Sequence, residues 1–251
     1  MLFRSYLFNN HLPVGPFSII TILDDIYQFI NKYHYPIIIK ARKGSFDGRG
    51  NIIINNENEL LEWNQTIDKL EDYYLESMID FNNELSICGC RTKEDSILYF
   101  QPVKNTHQNS ILLKTEYNQS IIKPEINNKI IDIYKNILDL FHTKGVICVE
   151  FFQKNNDIYI NEIALRVHNT YHLSLDCANI SQFDLHLSSI LNLNPTIPRF
   201  INNGIMYNII SNMQTKDNIL DSITKNINYI IKDYHKKSIG IRKIGHINLI
   251  L

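Results

Sequence analysis

The sequence predicts an α+β fold on three observations. Short β-branched runs bounded by Gly, Pro and polar residues recur along the 251 residues, helical periodicity is confined to separate stretches, and no internal repeat links them. A chain of this length buries about 70–75% of its unfolded surface, so core size sets no limit. With 44% hydrophobic and 20% charged residues, 9 Gly and 7 Pro, it is neither disordered nor collagen-like. A formal charge of −1 gives no long-range field for gathering phosphates. No nucleic-acid partner is expected, and any anion site must be local. Cys88, Cys90, Cys148 and Cys177 fit neither a paired zinc spacing nor a disulfide scaffold, and are expected reduced and buried. Met1 to His11 lacks the features of a signal peptide, and no run reaches the roughly 18 apolar residues of a membrane span. A cytoplasmic protein without a membrane partner is the expectation.

The elements follow in order. Pro36 to Ala41 reads as a strand, Gly44 to Gly50 as a glycine-punctuated loop, and Ile52 to Ile54 as a second strand. Glu57 to Leu70 has helical character and Tyr73 to Ile79 returns to strand, which makes a small α+β lobe. Glu84 to Arg91 and Ser96 to Val103 read as partner strands. The strongest helix signal lies between Pro124 and Gly145, with Pro124 and Glu125 in the first turn and Gly145 at the exit. Its stripe of Ile126, Ile130, Tyr134, Ile137 and Phe141 belongs to a core. Strands over Val146 to Phe152 and Ile158 to Ala164 follow, then a helix over Ser181 to Leu193. Pro195 and Pro198 mark a boundary, and Gly204 to Ile210 and Gly245 to Ile250 read as strands of a smaller terminal unit.

Four constellations carry chemistry. A hairpin symmetric about Asn156 sets Glu150 opposite Glu162, and like charges directly opposite on a sheet repel. Either a cation lies between them or they are solvated strand ends. Magnesium, which takes one or two carboxylates plus substrate phosphates, fits the first case. Lys40 ends an apolar strand just before the GSFDGRG loop, where Lys40 and Arg49 are placed to supply charge to a phosphate. The loop matches no phosphate-binding fingerprint, so a plain turn remains the other reading. Arg166, His168 and Asn169 follow Glu162 closely and make an anion pocket at a strand end. Arg242, Lys243 and His246 form either a basic cluster at a site mouth or a solvated strand end.

Ordered along the chain, YPIIIKARKGSFDGRGN (35–51), ELS (84–86), VKNTHQNSIL (103–112), GVICVEFF (145–152), NEIALRVHNTYH (161–172), SQFDLHL (181–187) and IRKIGHINL (241–249) resemble the ATP-grasp family. Within it they are similar to the synthases that make 5-(carboxyamino)imidazole ribonucleotide for purine biosynthesis. The resemblance implies two α+β lobes clasping ATP, over about 18–80 and 81–194 of an ATP-grasp domain spanning 1–194. A β-rich unit over 195–251 follows, and the family's N-terminal nucleotide-fold domain is missing. It implies ATP, Mg2+ and bicarbonate as reactants or cofactor, carboxyphosphate as intermediate, and aminoimidazole ribonucleotide as acceptor. By the same resemblance Lys40 touches ATP phosphates, Glu76 borders adenine, Glu84 holds the ribose, and Glu150 and Glu162 hold magnesium. Asp47 and Arg49 join Arg166, His168 and Asn169 on the bicarbonate and ribonucleotide side, with Asp47, Arg49 and Lys243 in catalytic roles. Lys236 and Arg242 embrace the substrate with Lys243. A homodimer is implied, and a separate N-terminal chain or the downstream carboxyaminoimidazole ribonucleotide mutase are further partners to consider.

The chain departs from the family pattern where Ser45 and Phe46 replace Gly and Tyr, Leu165 a proline, Tyr171 a glycine, and Ile239 and Ile241 an arginine and a glycine. Those changes and the truncation motivate an alternative, a degenerate chain that binds nucleotide or a partner without turnover. A third reading, a ligase of the same fold acting on another acid or amine, does not account for the SQFDLHL and IRKIGH runs.

Overall fold

The computed structural model describes residues 3–44, 50–223, 227–237 and 240–251. The chain divides into two compact units, Met1–Phe81 and Asn82–Leu251. The first holds helix α1 (Phe3–Asn9), strand β1 (Phe17–Ile19), helix α2 (Leu23–Tyr33), strands β2 (Ile37–Ala41) and β3 (Asn51–Ile54), helix α3 (Glu57–Thr66) and strand β4 (Tyr73–Ser77). Its antiparallel sheet has the order β1-β4-β2-β3. Alternation turns Ile37, Ile39 and Leu75 into a core with Ile26 and Phe29 of α2 and Leu60 and Trp63 of α3. The intervening positions, Lys40, Tyr74 and Glu76, lie on the other face. Local chemistry starts the helices: Asn56 caps α3 by accepting from the Glu59 amide at 3.1 Å, and Asp25 of α2 accepts from the Thr21 and Ile22 amides.

The second unit contains strands β5 (Asn83–Arg91), β6 (Ile97–Tyr99), β7 (Val103–Gln108) and β8 (Ile111–Tyr117), helix α4 (Pro124–Phe141), strands β9 (Val146–Lys154) and β10 (Asp157–Ala164), helices α5 (Ser174–Cys177) and α6 (Gln182–Ile190), strand β11 (Gly204–Ile210), helix α7 (Lys216–Ser222), and strands β12 (Asn228–Asp233) and β13 (Lys243–Ile250). A nine-stranded sheet runs β10-β9-β5-β7-β8-β11-β13-β12, with β6 beside β5. Helix α4 packs on β5 and β10, and α6 on β5 and β9. The stripe of α4 is buried at Ile126, Ile130, Tyr134 and Ile137, and all four cysteines are free and buried. Helix α4 ends at Phe141 rather than at Gly145, because His142 takes the left-handed conformation at φ 45° and its amide closes the last turn. Tyr171 is fully buried and donates to the carbonyls of Ser86 and Gln101 at 2.9 and 3.0 Å, so its bulk fills the core against Phe100 and Phe200.

Two features differ from the sequence reading. Expected partner strand 96–103 is two strands, β6 and the start of β7, both against β5. Residues 195–251 form no separate sheet: β11 pairs with β8 as well as β13, so the boundary expected at 194/195 crosses a continuous sheet. Prolines punctuate the sequence there, but the pairing that decides the matter is long-range. No helix among the described residues is long and apolar enough to cross a membrane.

Candidate functional site

Strand pairing builds the acidic pair. The β9–β10 hairpin turns at Asn155 and Asn156 and pairs Lys154 with Asp157 through Phe151 with Ile160. A bulge at Asn161 then shifts the register, and beyond it Glu162 faces Glu150 and Ile163 faces Val149. A turn symmetric about Asn156 predicts the same pair. The turn is in fact one residue tighter, and the bulge restores the pairing. Pleating puts both carboxylates on the face opposite Phe151 and Val149. Ser86 of β5 pairs with Glu150 on its other side, and Glu84 lies two residues away on the same face.

Glu150 is buried and Glu162 exposed. Burial raises the Glu150 carboxyl above its usual range; His168 and His107 pull the other way, while Cys148 and Glu162 add to the rise. The His168 Nδ1 stands 3.6 Å from Glu150 and 3.0 Å from the Thr170 hydroxyl. Burial disfavours the imidazolium, yet Cys148, Glu150 and Glu162 overcome that cost and push His168 up to about 9. Glu84 pairs with His107 Nδ1 at 2.5 Å. His107 belongs to one of the motif runs but was not singled out in the sequence.

Lys40 of β2 reaches Glu76 of β4 at 2.7 Å, and Arg4 of α1 grips the same carboxylate at 2.6 and 2.8 Å. Burial alone would raise Glu76; Arg4 and Lys40 outweigh it and hold the carboxyl below its usual range. Lys40 and Glu76 are therefore brought together, with Arg4 as a third member that the sequence reading missed.

Past β10, Arg166 is exposed, and its Nη1 donates to the Val167 carbonyl at 2.9 Å. His168 is held through its backbone, since its N–H donates to Gln182 Oε1 and its carbonyl accepts from Gln182 Nε2, both at 2.8 Å. Asn169 keeps a buried Nδ2 without a hydrogen-bond partner. The SQFDLHL run that supplies Gln182 also supplies a capping box: Ser181 and Asp184 bond each other's amides at the start of α6. Lys236 lies over the Tyr234 ring at 5.0 Å, Arg242 is exposed, and Lys243 enters β13 beside a second bulge, between Ile209 and Ile210 of β11. Asp47 and Arg49 lie outside the described residues, as do Ser45, Phe46 and Ile239.

No group of three or more His, Cys, Asp or Glu able to hold a metal occurs among the described residues. Two facing carboxylates, one of them buried, instead match the pattern of magnesium shared with substrate phosphates.

Residues 5–183 match the ATP-grasp domain family, and the chain belongs to that family. Within it, the chain is 31% identical over 250 residues to the N5-carboxyaminoimidazole ribonucleotide synthase of Staphylococcus epidermidis, covering 98% of this chain and 65% of the relative. The fold matches the N5-carboxyaminoimidazole ribonucleotide synthetase of Thermus thermophilus with a TM-score of 0.86 at 24% identity, over 99% of this chain and 66% of that one. It also matches the carboxyaminoimidazole ribonucleotide synthase of Aspergillus clavatus complexed with ATP, at a TM-score of 0.86 and 26% identity, with the same coverage. The chain thus spans about two thirds of the length of these relatives.

Proposed function

We propose that this chain is the ATP-grasp part of a ligase that carboxylates 5-aminoimidazole ribonucleotide with ATP and bicarbonate. The observation that carries the reading is the Glu150–Glu162 cross-strand pair in a chain similar, over nearly its whole length, to synthases of that product. ATP as the nucleotide is supported by the Aspergillus clavatus complex.

In this reading Lys40 neutralises ATP phosphate and is oriented by Glu76 and Arg4, while Glu84, steadied by His107, binds ribose. Glu150 and Glu162 hold magnesium, which supplies charge neutralisation at the phosphates. A bicarbonate oxygen attacks the γ-phosphorus, ADP leaves, and carboxyphosphate forms. The ribonucleotide amine then attacks the carboxyl carbon, inorganic phosphate departs, and the amine gives up a proton. Chemistry of this kind asks the protein mainly for positioning and electrostatic stabilisation. The protonated His168 beside Glu150, with Arg166 and Asn169, faces the bicarbonate step, and Lys236, Arg242 and Lys243 hold the ribonucleotide side. Asp47 and Arg49 complete it. The family's homodimer is part of the same proposal.

The test is ADP release with ATP, magnesium and bicarbonate, with and without aminoimidazole ribonucleotide, from the chain alone and with any separately encoded amino-terminal partner. Stimulation by the ribonucleotide, abolished in Glu162→Gln, is the expected result. ATP binding without stimulated release under either condition would leave a nucleotide-binding module and end the ligase reading.

A further inference from the structure

Downstream of His168 the second unit holds a polar cluster that the reaction scheme above leaves unused: His172, Gln182, Tyr234, His246 and Asn248. Gln182 is fully buried, and its amide is engaged at both ends by the backbone of His168. Those two bonds decide which end is nitrogen, since the flipped amide would set donor against donor and acceptor against acceptor. The same Gln182 Nε2 lies 3.0 Å from His172 Nδ1, so Nδ1 must accept. A neutral imidazole that accepts at Nδ1 carries its proton at Nε2.

Neutrality has independent support. The His172 ring stacks on Phe183 and on His246, with centroids 5.7 and 5.0 Å apart, and meets Tyr234 edge-on. Burial, then His246, His168, Lys243 and Lys236 all disfavour its cation, pushing it down to about 3. Gln182 and Asn248 face it from α6 and β13, the latter donating to the His172 carbonyl and to the carboxylate of Asp176.

Its Nε2–H has no protein acceptor among the described residues, while two lysines stand close enough to influence the ring. Buried polar atoms without partners cluster in the same part of the fold, at His246 Nε2, Asn248 Oδ1 and Asn169 Nδ2. We propose that His172, fixed by Gln182 in the Nε2–H tautomer, donates that proton as a neutral hydrogen bond to a substrate oxyanion neutralised by Lys236 and Lys243. A neutral donor there adds geometry without a third repelling cation. The oxyanion is either the transferred carboxyl group or the ribonucleotide phosphate. This inference rests on the ligase reading for its substrate, though not for its tautomer.

Replacement discriminates the two nitrogens: His172→Gln carries an amide N–H near the Nε2 position, and His172→Asn only near Nδ1. In the ADP-release assay, His172→Asn should raise KM by about tenfold or more, the worth of a hydrogen bond to a charged group. The KM for ATP should stay unchanged, and His172→Gln should recover most of the loss. A rise in KM for bicarbonate identifies the carboxyl oxygen; a rise for the ribonucleotide identifies its phosphate. Equal loss in both variants, or a parallel rise in KM for ATP, overturns the proposal. Nitrogen-15 NMR of the intact chain reads the tautomer whether or not the chain turns over, and must show Nδ1 bare and Nε2 protonated at neutral pH. The opposite tautomer sinks the idea. If no ribonucleotide-dependent turnover is found, the ligase reading fails by itself. Titration with inorganic phosphate then decides the donor role, a shift of the His172 Nε2 signal supporting it and no shift overturning it.

Discussion

At the scale of single residues, the most consequential contact outside the acidic pair is the shared grip on Glu76. Its carboxylate sits between two cations, with side-chain exposures of 12% for Glu76, 9% for Arg4 and 15% for Lys40, so solvent screens the three weakly. Removing one partner of such a group leaves buried charge uncompensated. Glu76→Ala should therefore cost about 3–5 kcal/mol of stability, although the site as a whole need not be more stable than an apolar equivalent. Urea unfolding of the variant checks this, and a cost below about 1 kcal/mol, the value of an exposed pair, would show that the grip is solvated. Lys40 was legible in the sequence from its place at the end of an apolar strand. Arg4 was not, because only the folding of α1 over the sheet brings it to a strand 72 positions away.

The elements owe their function to irregularities that a period of two conceals. In β10 Ile158 and Ile160 are buried on one face, and the next residue on that face is Ile163, a step of three instead of two. That break marks the bulge at Asn161, and it was visible in the sequence as a fault in the alternation. Assuming a symmetric turn found the Glu150–Glu162 pair without finding the device that makes it. Deletion of Asn161 leaves every other residue on its present face and every pair matched, so the variant should still fold with a single cooperative thermal transition. It straightens β10 and re-aims Glu162, which is the use to which bulges are put beside sites. Magnesium-dependent ADP release should fall by about tenfold or more, the scale of a displaced outer-shell contact to a metal ligand. Full activity in the deletion would show that the bulge only relieves strand twist. The second bulge, opposite Ile209 and Ile210, lies next to Lys243 and gave no comparable signal, since IRKIG has no alternation to interrupt.

For the molecule as a whole, the continuity of the second unit's sheet decides what the C-terminal strands are for. Local signals showed most strands and the long helix, and the motif runs pointed to the family. Order among strands was not legible, because β8 and β11 meet across almost ninety residues that contain three helices and a hairpin. That closure buries His246 of β13 and sets its ring against His172. It also ties stability to pH. Both histidines have folded values below their ordinary 6.5, about 3 for His172 through burial and its cationic neighbours, and about 4 for His246 chiefly through burial. The unfolded chain takes up protons below about 6.5 that the folded chain refuses, so their contribution is intact above that pH and is lost as pH falls toward about 4 for His246 and about 3 for His172. His168, raised to about 9, runs oppositely: its contribution is complete below 6.5 and is lost as pH rises through 9. Glu150, whose carboxyl is raised, opposes the acid loss, and Glu76, whose carboxyl is lowered, adds to it below its usual range. The expected profile is a dome with its shoulder near the ordinary histidine value. Urea midpoints measured across that acid limb should fall in the parent and fall less steeply in a His172→Gln, His246→Gln double variant. Identical acid slopes in the two chains would mean that both rings reach solvent, and that the sheet does not close over them as described.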